Sequence, residues 1–247
     1  MGTDLTLPQH LDGLRSALIA FTRYADRAGL RASVPTTPDW TVRRLVAHQG
    51  MVHRWATAIL RGQQADPDRI QQEGQVAPDP LEWLRDGAID LAQAIHQAPD
   101  DLDALVFLHD APPAKRFWAR RQCHETTIHA VDALSASLGR YPKAADTWIA
   151  DEIALDGIDE LLTGFLTRER SRLRSEEPMT IAIRPDGGKV GWEVDVSAAP
   201  PVTRRTPDPR GDVELAGSPV ALYLTLWNRS DEIGAPALWQ DTAITWG

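Results

Sequence analysis

A single cysteine, Cys123, stands in a chain of 247 residues. An internal disulfide is excluded, and the chain suits a reducing compartment. Lysine is also scarce: Lys115, Lys143 and Lys189 are the only ones among 26 basic residues. That arginine bias, with abundant alanine, speaks of GC-rich codons rather than of chemistry. Long apolar runs are missing. The longest local one, Val220 to Leu224, falls far short of the ~20 residues a membrane span needs. Excess positive charge is missing too. The 26 Lys+Arg against 35 Asp+Glu leave a net charge of −9, which disfavours nucleic acid or another polyanion as partner. The first ten residues lack the basic and apolar regions of a secretory signal, so the expected location is cytoplasmic. Gly2 and Thr6 match a loose myristoylation pattern at the level of chance.

The composition that remains, 43% apolar and 25% charged, is that of an ordinary folded protein. The length suits one or two domains. No repeat of 20–50 residues is visible. Leu11, Leu14, Leu18, Phe21 and Ala25 recur at helical spacing and predict a helix from Pro8 to Ala28, stopped at Gly29. Thr41 is a plausible N-cap for a second helix to about Arg61. The stretch Gly62 to Pro80 reads as a connection. A third helix is expected from Leu81 to Gln97 and a fourth from Ala114 to Leu138, closed by Gly139. A fifth is expected from about Asp146 to Arg170.

The last third alternates instead. Met179, Ile181 and Ile183, the turn Asp186-Gly187-Gly188, then Val190, Trp192, Val194 and Val196 predict a hairpin. A Pro/Arg stretch follows (Pro200 to Pro209), then a short strand from Val213 to Ala216. Ser218-Pro219 opens a helix to about Arg229. A final strand is expected from Ala243 to Trp246. The fold class is therefore α+β: a helical bundle over residues 1–172, then a small α+β domain over 173–247.

Ligand-type residues interrupt two apolar stripes. His48 falls between Leu45 and Val52 and so faces the bundle interior, where a lone histidine is ordinarily a satisfied core residue. Glu125 and His129 are four apart and project from one face of the fourth helix. A carboxylate and an imidazole at that spacing can reach one metal ion, or can form a plain helix pair. His124 lies ~140° from His129, and Cys123 ~200° from Glu125, so neither should share the ion. Together His48, Glu125 and His129 make a His₂Glu set. Three protein ligands leave a fourth position open, as in catalytic zinc sites. Asp132 would orient an imidazole N–H or face solvent. Trp55 and Trp118 are the tryptophans expected to line a pocket.

Trp40 through His48 (WTVRRLVAH), with His53-Arg54-Trp55-Ala56, resembles the second-helix signature of the mycothiol-dependent maleylpyruvate isomerase family, part of the DinB-like superfamily. Phe117 through Ala133 (FWARRQCHETTIHAVDA) resembles its second signature. Gly217-Ser218-Pro219 through Leu226-Trp227-Asn228-Arg229 is similar to its C-terminal motif. The resemblance implies a DinB-type four-helix bundle, a divalent metal at the positions of His48, Glu125 and His129, and the thiol mycothiol as cosubstrate. It matches Arg229 to a C-terminal arginine near the site, a candidate catalytic residue whose fork suits a carboxylate. The arginine bias agrees with an actinobacterial host.

If the metal is Zn²⁺, a coordinated thiol is deprotonated and becomes the nucleophile. Addition to a small electrophilic alkene, rotation and departure isomerise it; displacement at carbon makes the enzyme a thiol transferase. The alternatives are a metal-hydroxide hydrolase and a non-catalytic metal- or thiol-binding protein.

Overall fold

A computed structural model of the chain describes residues 5–242. The expected strand at Ala243 to Trp246 lies outside the described residues. The architecture is α+β: a helical region of five helices, then a four-stranded sheet with helices. By contact density the chain divides into two units. One comprises Thr6–Val106 with Pro112–Pro142; the other includes Phe107–Ala111 and Lys143 onward.

The helical unit holds α1 (Leu7–Ala28), α2 (Val42–Leu60), α3 (Pro67–Val76), α4 (Pro80–Gln97) and α5 (Ala114–Leu138). Each start has a local cause. Thr6 and Gln9 form a reciprocal capping box at α1. Thr41 accepts the Arg44 amide at α2. Asp66 before Pro67 and Asp79 before Pro80 cap α3 and α4, with proline where no amide partner is needed. Gly139, in the left-handed region at φ 69°, ends α5. The long helices α1, α2, α4 and α5 share one core, with α1 against α5 and α2 against α4. Leu14 and Phe21, Leu45 and Val46, and Leu84 and Leu91 are buried there.

Close approach of α2, α3 and α4 depends on two glycines around one ring. A Cβ on Gly74 would lie 2.6 Å from the Trp83 indole, and one on Gly50 would run into it. Arg54 covers Trp83, with its guanidinium carbon 3.8 Å from the ring centre.

The helix α3 falls where the sequence reads as a connection. It has no apolar stripe: only Ile70 and Val76 are large and apolar in PDRIQQEGQV. Its Asp-Pro start was the available signal. The helix α5 also lacks a single stripe, because Gln122, His124, Glu125, Thr126, His129 and Asp132 are buried on it alongside Ile128, Val131 and Leu134.

In the second unit the expected fifth helix is broken into a 3-10 turn (Ala144–Asp146), α6 (Asp151–Asp159) and a π-helical stretch (Glu160–Phe165). The wider winding shows in Leu166 N–H donating to Leu161 C=O. The sheet has the order β3-β2-β1-β4, from β1 (Met179–Pro185), β2 (Gly191–Val196), β3 (Val202–Thr206) and β4 (Val213–Gly217). β1 pairs antiparallel with β2 and parallel with β4. Gly187 and Gly188, at φ 89° and 63°, make the turn that the hairpin needs. β3 is an edge strand whose VTRRT sequence carries no apolar alternation. Its Arg205 pairs with buried Asp159, which also takes the Trp192 indole N–H at 2.9 Å. α7 (Pro219–Leu226) packs against α6, and a short α8 (Ala237–Gln240) follows.

Candidate metal centre

α2 and α5 bring His48, Glu125 and His129 together. One ligand atom from each lies within 4.8 Å of the others. Glu125 Oε1 stands 3.2 Å from His129 Nε2 and 3.8 Å from His48 Nε2. The imidazole rings of His48 and His129 meet edge-to-face, 5.0 Å between centres. Four-coordinate zinc with bonds near 2.0–2.2 Å has ligand atoms about 3.4 Å apart. The two nitrogen–oxygen separations bracket that value. Glu125 Oε1 is buried and has no directed hydrogen bond to either ring among the described residues. A buried carboxylate oxygen 3.2 Å and 3.8 Å from two imidazole nitrogens suits a shared cation. The residues therefore fit a divalent metal.

The remaining atoms of the trio are held from behind. Glu125 Oε2 accepts from Arg121, fully buried one turn earlier, at 3.3 Å. His129 Nδ1 lies 2.8 Å from Asp132 Oδ2. Asp132, completely buried, also accepts the Thr36 hydroxyl at 2.6 Å on Oδ1. Ser135 extends this chain at 2.9 Å from Thr36. A carboxylate on Nδ1 leaves Nε2 directed toward Glu125 and fixes the ring's orientation.

These neighbours shift the titrations. Burial opposes charge on His129, but the bond to Asp132 and the Glu125 carboxylate outweigh it and raise its pKa to about 9. Burial also favours a neutral Glu125, yet the two histidines and Arg121 hold it well below the usual carboxylate range. Burial lowers His48, with Glu125 opposing. Without a cation, one proton on His129 thus balances Glu125.

Trp40 is the site's other wall. It stacks near-parallel on His129, 6.0 Å between centres and 18° apart, and meets His48 at 4.9 Å. The loop before α2 holds it there: Val34 N–H donates to Trp40 C=O, and Trp40 N–H to Thr37 C=O. The expected wall residues differ. Trp118 is fully buried, packs edge-to-face on Trp55 and donates its indole N–H to Leu105 C=O. Trp40 and Arg121 were not singled out from sequence. Arg121 had a usable signal, since its spacing to Glu125 equals that of Glu125 to His129.

His53, five residues after His48, joins a separate buried cluster. Its Nε2 lies 2.8 Å from Gln49 Nε2 and 2.9 Å from Thr126 Oγ1. Burial, with Arg54 nearby, holds its pKa down at about 3, so the ring is neutral. Gln49 Nε2 then donates to His53 Nε2, and His53 Nδ1 carries the proton with no acceptor among the described residues. Gln49 Oε1 and both amide atoms of Gln122 are likewise buried without a hydrogen-bond partner among the described residues. Each such atom costs about 1–3 kcal/mol.

His124 is fully buried and meets His10 edge-to-face at 6.2 Å. Cys123, the sole cysteine, is buried. Arg229 lies beyond the end of α7, in the other unit. Its Nη1 donates to Trp227 C=O at 2.8 Å and its amide to Leu224 C=O.

Residues 11–134 match the family described as mycothiol maleylpyruvate isomerase N-terminal domain, and residues 152–243 the family described as MDMPI C-terminal domain. Among curated proteins nothing matches the sequence. Two crystal structures share the fold: one of the mycothiol-dependent maleylpyruvate isomerase, and one of a histidine-to-alanine mutant of it. Each is 16% identical, with 96% of this chain and 98% of the other aligned, at TM-scores of 0.62 and 0.63 respectively.

Proposed function

Because the chain belongs to the mycothiol maleylpyruvate isomerase family, we propose that it is a metal-dependent enzyme that uses mycothiol on a small electrophile, as an isomerase or S-transferase. The observation carrying this reading is the convergence of His48, Glu125 and His129, with a buried carboxylate oxygen between two imidazole nitrogens. His48 Nε2, Glu125 Oε1 and His129 Nε2 are the proposed ligands of one divalent metal, Zn²⁺ by the donor set. When bound, the metal supplies a Lewis acid with a free position that lowers the pKa of a thiol.

The protein's own groups prepare that position. Asp132 accepts the Nδ1–H of His129, so the lone pair of the neutral ring is presented from Nε2. Arg121 offsets the charge of Glu125 on the oxygen facing away from the histidines. Trp40 stacks on the His129 ring and meets His48 edge-on. Arg229 is the proposed partner for a substrate carboxylate, through a bidentate fork.

The test is metal analysis of the purified protein, followed by thiol titration of its Co²⁺ form. Stoichiometric metal and a sulfur-to-metal charge-transfer band with mycothiol support the reading. Absence of any band at millimolar thiol, with ester or amide hydrolysis that His48→Ala abolishes, replaces it with the metal-hydroxide hydrolase.

A further inference from the structure

We propose that Gln122 is a ligand-binding residue whose carboxamide pairs with the amide group flanking the thiol of a cysteine-derived cosubstrate. The proposal rests on the metal–thiol reading above and names the part of the thiol that the protein recognises.

Gln122 is fully buried on α5, and neither its Nε2 nor its Oε1 has a hydrogen-bond partner among the described residues. A leucine or methionine would fill the position without that penalty. Side chains that break a packing rule at a cost to stability are expected at functional positions. The neighbouring polar groups do not explain it. Thr126, one turn along α5, is committed to Gln49 and His53, and Gln122 takes no part in that cluster.

Its place on the helix connects it to the site. Seven residues separate Gln122 from His129, which puts the two ~20° apart around α5. Glu125 is three residues on, ~60° around and ~4.5 Å along the axis. In a cysteine-derived thiol the amide nitrogen is three bonds from sulfur, a span of about 3–4.5 Å. A sulfur beside Glu125 can therefore place its own amide at the level of Gln122 along the helix. One donor and one acceptor lie unpaired on the protein, and an amide offers one acceptor and one donor.

The experiment uses the full-length Co²⁺-loaded protein and two probes. N-acetylcysteamine carries the amide three bonds from sulfur; 2-mercaptoethanol carries none. The charge-transfer band reads binding of each. The wild-type protein should bind N-acetylcysteamine at least about tenfold more tightly, the size of one or two satisfied hydrogen bonds. In Gln122→Leu that preference should shrink to about twofold or less, with metal content intact and the metal-free melting temperature equal to wild type or higher. Gln122→Met provides the same readings in a side chain of matching shape should the leucine variant not fold. An unchanged preference in the variant overturns the proposal, and so does a lower melting temperature, which would make Gln122 a structural residue. No band with either thiol on wild-type protein overturns the metal–thiol reading and this inference with it.

Discussion

His129 Nδ1 and Asp132 Oδ2 stand 2.8 Å apart across one turn of α5, and Asp132 in turn receives the Thr36 hydroxyl at 2.6 Å. The carboxylate is anchored before it meets the imidazole, so the ring is held rather than merely contacted. Removing the charge while keeping the shape, in Asp132→Asn, should weaken metal binding by about 10–100-fold. Competition against a chromophoric chelator measures it. Thr36→Val, which removes the hydroxyl that anchors Asp132 and meets Ser135, should cost a few-fold. An Asp132→Asn protein with wild-type affinity would show that His129 needs no such support.

The pH dependence of metal uptake follows from His129. Its pKa is raised from 6.5 to about 9 in the folded, metal-free protein. Stability from this group is fully present below about 6.5 and is lost as pH rises through about 9. A metal must displace the same proton. Apparent affinity should therefore rise about tenfold per pH unit between 6.5 and 9 and level off above. Titrations at four pH values across that range test the slope. A flat profile would mean that His129 releases no proton to the metal.

Gly50→Ala tests how the bundle walls meet. The added methyl would collide with the Trp83 ring, which Arg54 pins from its other contacts. A loss of about 1–3 kcal/mol is expected, measured by urea unfolding of the metal-free protein. An unchanged midpoint would mean that Trp83 moves aside freely.

Much of this is legible in the sequence. The end of α5 follows from Gly139, and the expected helix coincides with Ala114–Leu138. The pairing of Glu125 with His129 follows from a spacing of four. What escaped had no apolar period to reveal it: α3 is polar on all sides, and β3 is an arginine-rich edge strand within a proline-rich stretch. The π-helical stretch escaped because one extra residue per turn leaves the apolar run of Leu161, Leu162 and Phe165 looking α-helical. Trp40 escaped for another reason. Its contact with both histidines is made by a loop, and loop conformation is set by backbone bonds such as Val34 to Trp40 rather than by periodicity.

Cys123 offers a negative control. It is a buried side chain on α5, far around the helix from Glu125. Cys123→Ala should keep stoichiometric metal and any thiol-dependent turnover. His124→Ala should keep the metal as well, since His124 packs on His10 instead. Loss of metal from either variant, with the fold intact by circular dichroism, would show that the ligand set is misassigned.

The two histidines of α2 should separate function from stability. His48 has 22% of its side chain exposed and points at Glu125. His53 is fully buried and bonded to Gln49 and Thr126. His48→Ala should therefore lose the metal and change unfolding free energy little. His53→Ala should keep the metal but lose about 2–3 kcal/mol, from a cavity and from buried groups deprived of a partner. Acid adds a second signature. The folded pKa of His53 is depressed from 6.5 to about 3. Its unfolded form takes up a proton that the folded form refuses. Stability from this group is thus present above about 6.5 and lost as pH falls toward 3. His53→Ala should flatten that part of the stability–pH curve, and His48→Ala should leave more of it in place. Elemental analysis and urea unfolding at pH 5 and pH 7 on both variants provide the measurement. A His53→Ala protein that loses its metal, or a His48→Ala protein that keeps it, would reverse the assignment of the two rings.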